Sequence, residues 1–180
     1  MLNHVSSEVS SELIDANTGL LRQMLSVLPQ IDDVTFSVSP KGLAPHRVGS
    51  HLRHILEFYE CFLDGLESAC INYDGRKRDE LLERDRQAAA TKICSIVSSL
   101  EDRLTPHADE PVTVRTEHSG GEVYLASSIN RELEALSSHT IHHLALIAMT
   151  LRLHGFEAGA DFGMSPSTLR YHASKAAKGT

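Results

Sequence analysis

The chain has 180 residues, 41% apolar and 23% charged, and its net charge is −7 when histidine is counted as neutral. This length predicts a single domain, residues 1–180, with enough chain to bury a core. No run approaches the ~18 apolar residues that span a bilayer, and the acidic balance without a basic face disfavours nucleic-acid binding. The first residues lack a charged leader followed by an apolar stretch, so we expect a cytoplasmic protein.

The first half of the chain predicts two amphipathic helices joined by a loop. The first helix is expected from about Ser7 or Ser10 to Leu28, where Pro29 ends it. Residues 30–47 contain Pro40, Gly42 and Pro45 and predict a loop. The sequence VGSHLRHILEFYECFLDGLES, residues 48–68, predicts the second helix because its apolar residues recur at helical spacing.

A polar connection, CINYDGRKRDE, follows the second helix. Tyr73 and Arg76 flank Gly75 closely, so hydrogen-bonding and charged groups are concentrated there. Two interpretations stay open: a solvated turn, or a segment that covers a site and recognises an anion, since arginine presents a planar fork to carboxylates and phosphates. The third helix is expected from about Asp79 to Leu104.

The period of the sequence changes after the third helix. VTVRTEH and GEVYLASS alternate apolar and polar residues around Ser119-Gly120-Gly121, which predicts a hairpin at about residues 111–127. The fourth helix is expected from Ser128 or Ile129 to Gly155, a favourable residue after a helix end. Ser165-Pro166 predicts the start of a short C-terminal helix at about residues 165–175.

The fourth helix carries the strongest chemical signal. His139 and His143 are four residues apart, so they share one face at the edge of the apolar stripe, while His142 points away from the centre of that stripe. Two imidazoles so placed are a common way to bind a divalent metal. The alternative interpretation is a polar helix surface.

We expect the second helix to supply a third imidazole. His51 lies at the edge of the apolar stripe, and His54 lies ~60° further out, so His51 is the better candidate and His54 is expected in an outer shell or on the surface, as is His142. Three histidine ligands leave a coordination position open, as catalytic sites do. Zn²⁺ and Ni²⁺ both suit imidazole, and the sequence does not choose between them.

GSHLRHILEFYE followed by SSHTIHHLALIAM resembles the DinB/YfiT-like superfamily of metalloenzymes, and the similarity covers nearly the whole chain. The resemblance implies an all-α fold, a four-helix bundle that runs up-down-down-up with a small β-hairpin between helices 3 and 4. On its pattern His51 is the lone ligand and His139 with His143 is the pair. In that topology Tyr73, Arg76 and Glu83 would return to the level of the metal as outer-shell or substrate-binding candidates.

Three functions follow as hypotheses. The first is a divalent-metal-dependent enzyme acting on a small-molecule substrate, either a hydrolase or an S-transferase, since some relatives in that superfamily activate a low-molecular-weight thiol. The second is a non-catalytic metal- or ligand-binding stress-response protein. The third is a bundle whose histidines are only packed or exposed. A homodimer is compatible with all three, and no catalytic base is assigned.

Overall fold

The computed structural model describes residues 2–104 and 109–178. Those residues form seven α-helices and one small sheet, so the chain is mostly helical. Their bounds are α1 Leu2–Val27, α2 Asp33–Ser37, α3 Val48–Gly65, α4 Leu81–Arg84, α5 Arg86–Leu104, α6 Ile129–Leu153 and α7 Pro166–Lys178. None of these helices is long and apolar enough to cross a membrane.

The hydrophobic core lies between the four long helices. The helices α1 and α3 each pack against both α5 and α6. The apolar stripes that the sequence predicts are buried there, and the largest fully buried side chains include Tyr59, Phe36, Phe62 and Leu133. Burial of these stripes is the main term that holds the helices together.

The helices differ from the prediction mainly where an acidic side chain caps the start of an additional helix. The expected third helix is divided at Asp85, whose backbone is extended and whose carboxylate accepts hydrogen bonds from the N–H groups of Gln87 and Ala88. An acidic side chain that caps new N–H groups starts a second helix. The loop at residues 30–47 also contains α2, whose N-cap Asp32 accepts from the N–H of Thr35.

The sheet has three strands: β1 Cys70–Asn72, β2 Pro111–His118 and β3 Gly121–Ser128. The antiparallel pair β2–β3 is the predicted hairpin, with Pro111 opposite Ser128. The parallel partner β1 was not predicted. Because α2 and α4 precede it, the hairpin follows the fifth helix in chain order, and the prediction of a hairpin between helices 3 and 4 is corrected accordingly.

The connection from α3 to α5 runs back along α3. Its last part reaches the beginning of that helix, where the backbone of Glu83 is so close to Gly49 that a Cβ there would lie 2.2 Å from the Glu83 carbonyl oxygen. Only glycine permits this approach of two backbones. The polar connection therefore returns along α3 to the beginning of that helix.

Candidate metal centre

The histidines of interest lie on two helices that pack together, α3 and α6. Ser128 fixes the start of α6, because its hydroxyl accepts a hydrogen bond from the N–H of Arg131. A buried polar contact sets the register between the two helices: the Tyr59 hydroxyl lies 3.1 Å from Thr140 Oγ1 and donates to Asn17 Oδ1 at 2.6 Å. Thr140 directly follows His139, so this contact fixes the height at which the histidines meet.

Three imidazoles converge between these helices. One nitrogen from each of His54, His139 and His143 lies within 4.8 Å of the other two. The Nε2 atoms of His54 and His139 are 3.2 Å apart, and the His143 ring centroid is 4.6 Å from each of the other two centroids. All three side chains are half-buried. We call this group the histidine triad.

His51 lies next to the triad but contacts only one member through its ring nitrogens. Its Nδ1 is 3.1 Å from Nδ1 of His143, and its Nε2 is 3.1 Å from Nδ1 of the exposed His46, whose ring stacks on it. His51 is buried, whereas His54 faces His139. Within the described ranges, the group with metal-binding geometry therefore contains His54, which was expected in an outer shell, and not the predicted His51.

His142, the third histidine of this part of α6, points away from the apolar stripe as predicted. His142 is exposed, and only the edge of its ring approaches that of His143, with centroids 5.2 Å apart. It therefore serves as a natural control position beside the triad.

The surroundings favour neutral imidazoles. Burial is the largest cause that lowers the pKa of His54 and His139 to about 4 and that of His143 to about 3, and neighbouring imidazoles lower them further. Burial likewise lowers the pKa of His51 to about 4. Neutral histidine keeps a lone pair, which metal coordination requires.

The donor set fits a divalent ion. Two nitrogen ligands of a tetrahedral ion, each about 2.0–2.1 Å from the metal, lie roughly 3.3 Å apart, close to the 3.2 Å between His54 and His139. In addition, Nδ1 of His139 is buried and has no hydrogen-bond partner in the described part of the chain. This nitrogen is not the one that faces His54, so it lies on the other side of the His139 ring from that pair.

An aromatic ring connects the triad to the polar segment of the α3–α5 connection. Phe58 follows His54 by one helical turn and stacks on His139, with centroids 4.1 Å apart. The ring of Tyr73 stacks on Phe58 at 5.1 Å, and the guanidinium of Arg76 lies 4.8 Å from the Phe58 centroid. Tyr73 and Arg76 are therefore separated from the triad by one ring.

The polar groups of Tyr73 and Glu83 already have protein partners. The Tyr73 hydroxyl donates to Glu132 Oε2 at 2.8 Å, and the buried Glu132 also accepts from Ser127. The Glu83 carboxylate forms ion pairs of 2.6 Å with Arg47 and with Arg53. The structure thus places Glu83 in an ion-pair cluster that attaches α4 to α3, which is a structural role.

The sequence analysis left the roles of Phe58, Glu132 and His46 unassigned. A signal existed for Phe58, since residues four apart share a helix face and Phe58 follows His54 by four. Glu132 lies in the first turn of α6, where an acid also suits the helix dipole, so its contact with Tyr73 had no separate signal. His46 lies in a loop, and no periodicity constrains a loop residue.

Comparison with known proteins gives limited guidance. No protein-family model matches this chain. FK506-binding protein 5 of Rhizopus delemar is 34% identical to it over 105 residues, which is 56% of this chain and 27% of that protein. The chain therefore spans about a quarter of the length of this curated relative.

Proposed function

We propose that this chain is a divalent-metal-dependent enzyme in which His54, His139 and His143 bind the ion. The observation that carries the proposal is the convergence of three neutral imidazoles with nitrogens within 4.8 Å of one another. Three protein ligands leave a coordination position for substrate, as in catalytic sites. Zn²⁺ and Ni²⁺ remain the metals that suit such a donor set best.

We further propose that the chain belongs to the DinB/YfiT-like superfamily, with a four-helix bundle formed by α1, α3, α5 and α6. The contacts of α1 and α3 with both α5 and α6 support this arrangement. So does the return of the α3–α5 connection toward the start of α3, which an up-down-down-up topology requires. FK506 binding, which the name of the Rhizopus protein states, is not proposed here, because the match covers only 27% of that protein.

The residues around the triad have defined tasks under this proposal. His51, whose other ring nitrogen contacts His46, holds the His143 ring through its Nδ1 and would leave Nε2 of His143 for the ion. Phe58 forms an apolar wall beside His139. A bound divalent ion would supply Lewis acidity and would stabilise an anionic nucleophile such as a thiolate at neutral pH. S-transfer from a low-molecular-weight thiol and hydrolysis are the reaction classes to test first.

A second candidate is a non-catalytic metal- or ligand-binding protein. One observation favours it: His51 Nδ1 lies 3.1 Å from His143, so a fourth imidazole is close to the triad. A rotation of His51 toward the ion would give a closed shell of four nitrogens, which is typical of structural sites.

Turnover by metal-loaded protein distinguishes the two candidates. Zn²⁺- and Ni²⁺-loaded protein is assayed with common thiols and soft electrophiles and with ester substrates, beside His54→Ala and the control His142→Ala. The enzyme proposal expects activity in wild type and His142→Ala and at least a hundredfold loss in His54→Ala. If metal is bound but no substrate is turned over, and X-ray absorption shows four imidazoles around it, the non-catalytic candidate is correct.

A further inference from the structure

We propose that Arg76 is the carboxylate-binding residue of this centre, so that the substrate is a small organic acid. This inference rests on the proposed metal site, which gives a bound acid something to react with. Three observations support it: the position of Arg76, its fixed orientation and the lack of an acidic partner for its charge among the described residues.

The position of Arg76 follows from Phe58. The guanidinium carbon lies 4.8 Å from the Phe58 centroid, and the same ring lies 4.1 Å from His139 and 4.8 Å from His54. Arg76 and two members of the triad therefore border the same aromatic ring, which places the guanidinium beside the proposed metal site.

The orientation of Arg76 is fixed before any ligand binds. Its Nη1 donates a hydrogen bond to the carbonyl oxygen of Tyr73. Tyr73 is itself held by stacking on Phe58 and by its hydroxyl bond to Glu132. The turn between them is closed by Asn72, whose Oδ1 accepts from two backbone N–H groups. A preorganised cation loses less side-chain entropy on binding.

The charge of Arg76 has no acidic partner among the described residues. Arg47 and Arg53 pair with Glu83, and Lys77 lies 3.7 Å from Asp64. Residues 2–104 and 109–178 place no carboxylate within ion-pair distance of Arg76. Guanidinium has five N–H donors, and one of them is used by Tyr73.

One unpaired guanidinium matches one carboxylate. Arginine binds carboxylates through two parallel N–H···O bonds, which a neutral amide cannot reproduce. A phosphate dianion would carry more charge than this single cation balances. We therefore assign the carboxylate, and not a phosphate ester, as the recognised group.

The test uses two thiol probes of equal length on cobalt-loaded protein. 3-Mercaptopropionate carries the carboxylate, 3-mercaptopropionamide is its neutral counterpart, and the thiolate-to-cobalt absorption band reports binding of either. Wild type should bind the acid about tenfold more tightly than the amide. Arg76→Gln should abolish that preference, Arg76→Lys should retain only part of it, and the control Lys77→Gln should keep it.

Two results would overturn the assignment and leave the metal site intact. One is equal affinity of wild type for the two probes. The other is an unchanged preference for the acid in Arg76→Gln with a normal cobalt spectrum. If cobalt does not bind, or no thiolate band forms, the proposed function fails instead. In that case the assignment is decided on metal-free protein: succinate should shift the Arg76 Nε–H signal in a ¹⁵N–¹H spectrum saturably, and succinamide should not. An unshifted signal would overturn it.

Discussion

The Nδ1 atoms of His51 and His143 lie 3.1 Å apart, so one imidazole of α3 contacts one imidazole of α6 beside the triad. Partners of this kind orient a metal ligand and raise its affinity without touching the metal. His51 and His54 therefore have different roles in the proposed site, although the two residues are only one helical turn apart.

This separation predicts different results for the two alanine variants. His51→Ala should weaken Zn²⁺ affinity about 10–100-fold and keep a stoichiometry of one, because outer partners have effects of that size. His54→Ala should remove the site, because it deletes a ligand. Competition with a chromophoric chelator measures both, and His142→Ala is the matched control. Loss of the site in His51→Ala with retention in His54→Ala would return the ligand role to His51.

A second prediction concerns pH. The pKa values of the triad lie at about 4 and about 3 in the folded protein, whereas histidine in an unfolded chain titrates near 6.5. Between these values the unfolded chain binds more protons, so the stability of the metal-free protein should fall as the pH decreases from about 6.5 toward 4.

Urea midpoints at several pH values, measured with a chelator present, test this dependence. His143→Gln removes one titrating group from the triad, so its midpoint should fall less steeply over the same pH range. The difference between the two proteins isolates the histidine from the carboxylates, which also titrate at low pH. Identical slopes for wild type and His143→Gln would contradict the prediction.

A third prediction concerns the buried contact that aligns α3 with α6. Tyr59 is fully buried, and Tyr59→Phe would leave Asn17 Oδ1 and the Thr140 hydroxyl without their partner. The free energy of unfolding should decrease by about 1–3 kcal/mol, the usual effect of an unpaired buried polar group. The exposed Tyr124 provides the control, and Tyr124→Phe should change stability by less than about 0.5 kcal/mol. Equal effects in chemical denaturation would show that the contact does not stabilise the fold.

A fourth prediction uses two helical glycines. A Cβ at Gly49 would lie 2.2 Å from the backbone oxygen of Glu83, so Gly49→Ala should push the α3–α5 connection away and destabilise the protein by about 1–3 kcal/mol or more. A Cβ at Gly19 meets no atom within 4 Å, and Gly19→Ala should stabilise α1 by about 0.5–1 kcal/mol. Thermal unfolding measures both. Opposite signs are expected, and a stable Gly49→Ala would argue against the close approach.

The sequence predicted the four long helices and the hairpin because each has a local signal, and the spacing of His139 and His143 predicted that their rings lie side by side on one helix face. No local signal distinguished His51 from His54. A helical wheel gives the direction of a side chain relative to the apolar stripe, but it does not identify the neighbouring helix. The direction ~60° outside the stripe of α3 turned out to face His139 on α6. That outcome depends on tertiary packing.

Other differences have the same origin. The strand β1 has only three residues and exists because β2 pairs with it in parallel, and no three-residue pattern predicts a strand of that kind. The break at Asp85 had a local signal, since an acidic residue at a helix start is a common cap. It was obscured because the apolar stripe continues from Leu82 to Ala89 across the break.

The central claim is that His54, His139 and His143 bind a divalent ion, and the metal content of the protein tests it most directly. Untagged protein is purified without chelators and analysed by elemental mass spectrometry, beside three single alanine variants of the triad and the control His142→Ala. We expect close to one equivalent of Zn or Ni in wild type and in the control, and its loss in each triad variant. Metal-free wild type after incubation with Zn²⁺ or Ni²⁺, or undiminished metal in the triad variants, would contradict the account.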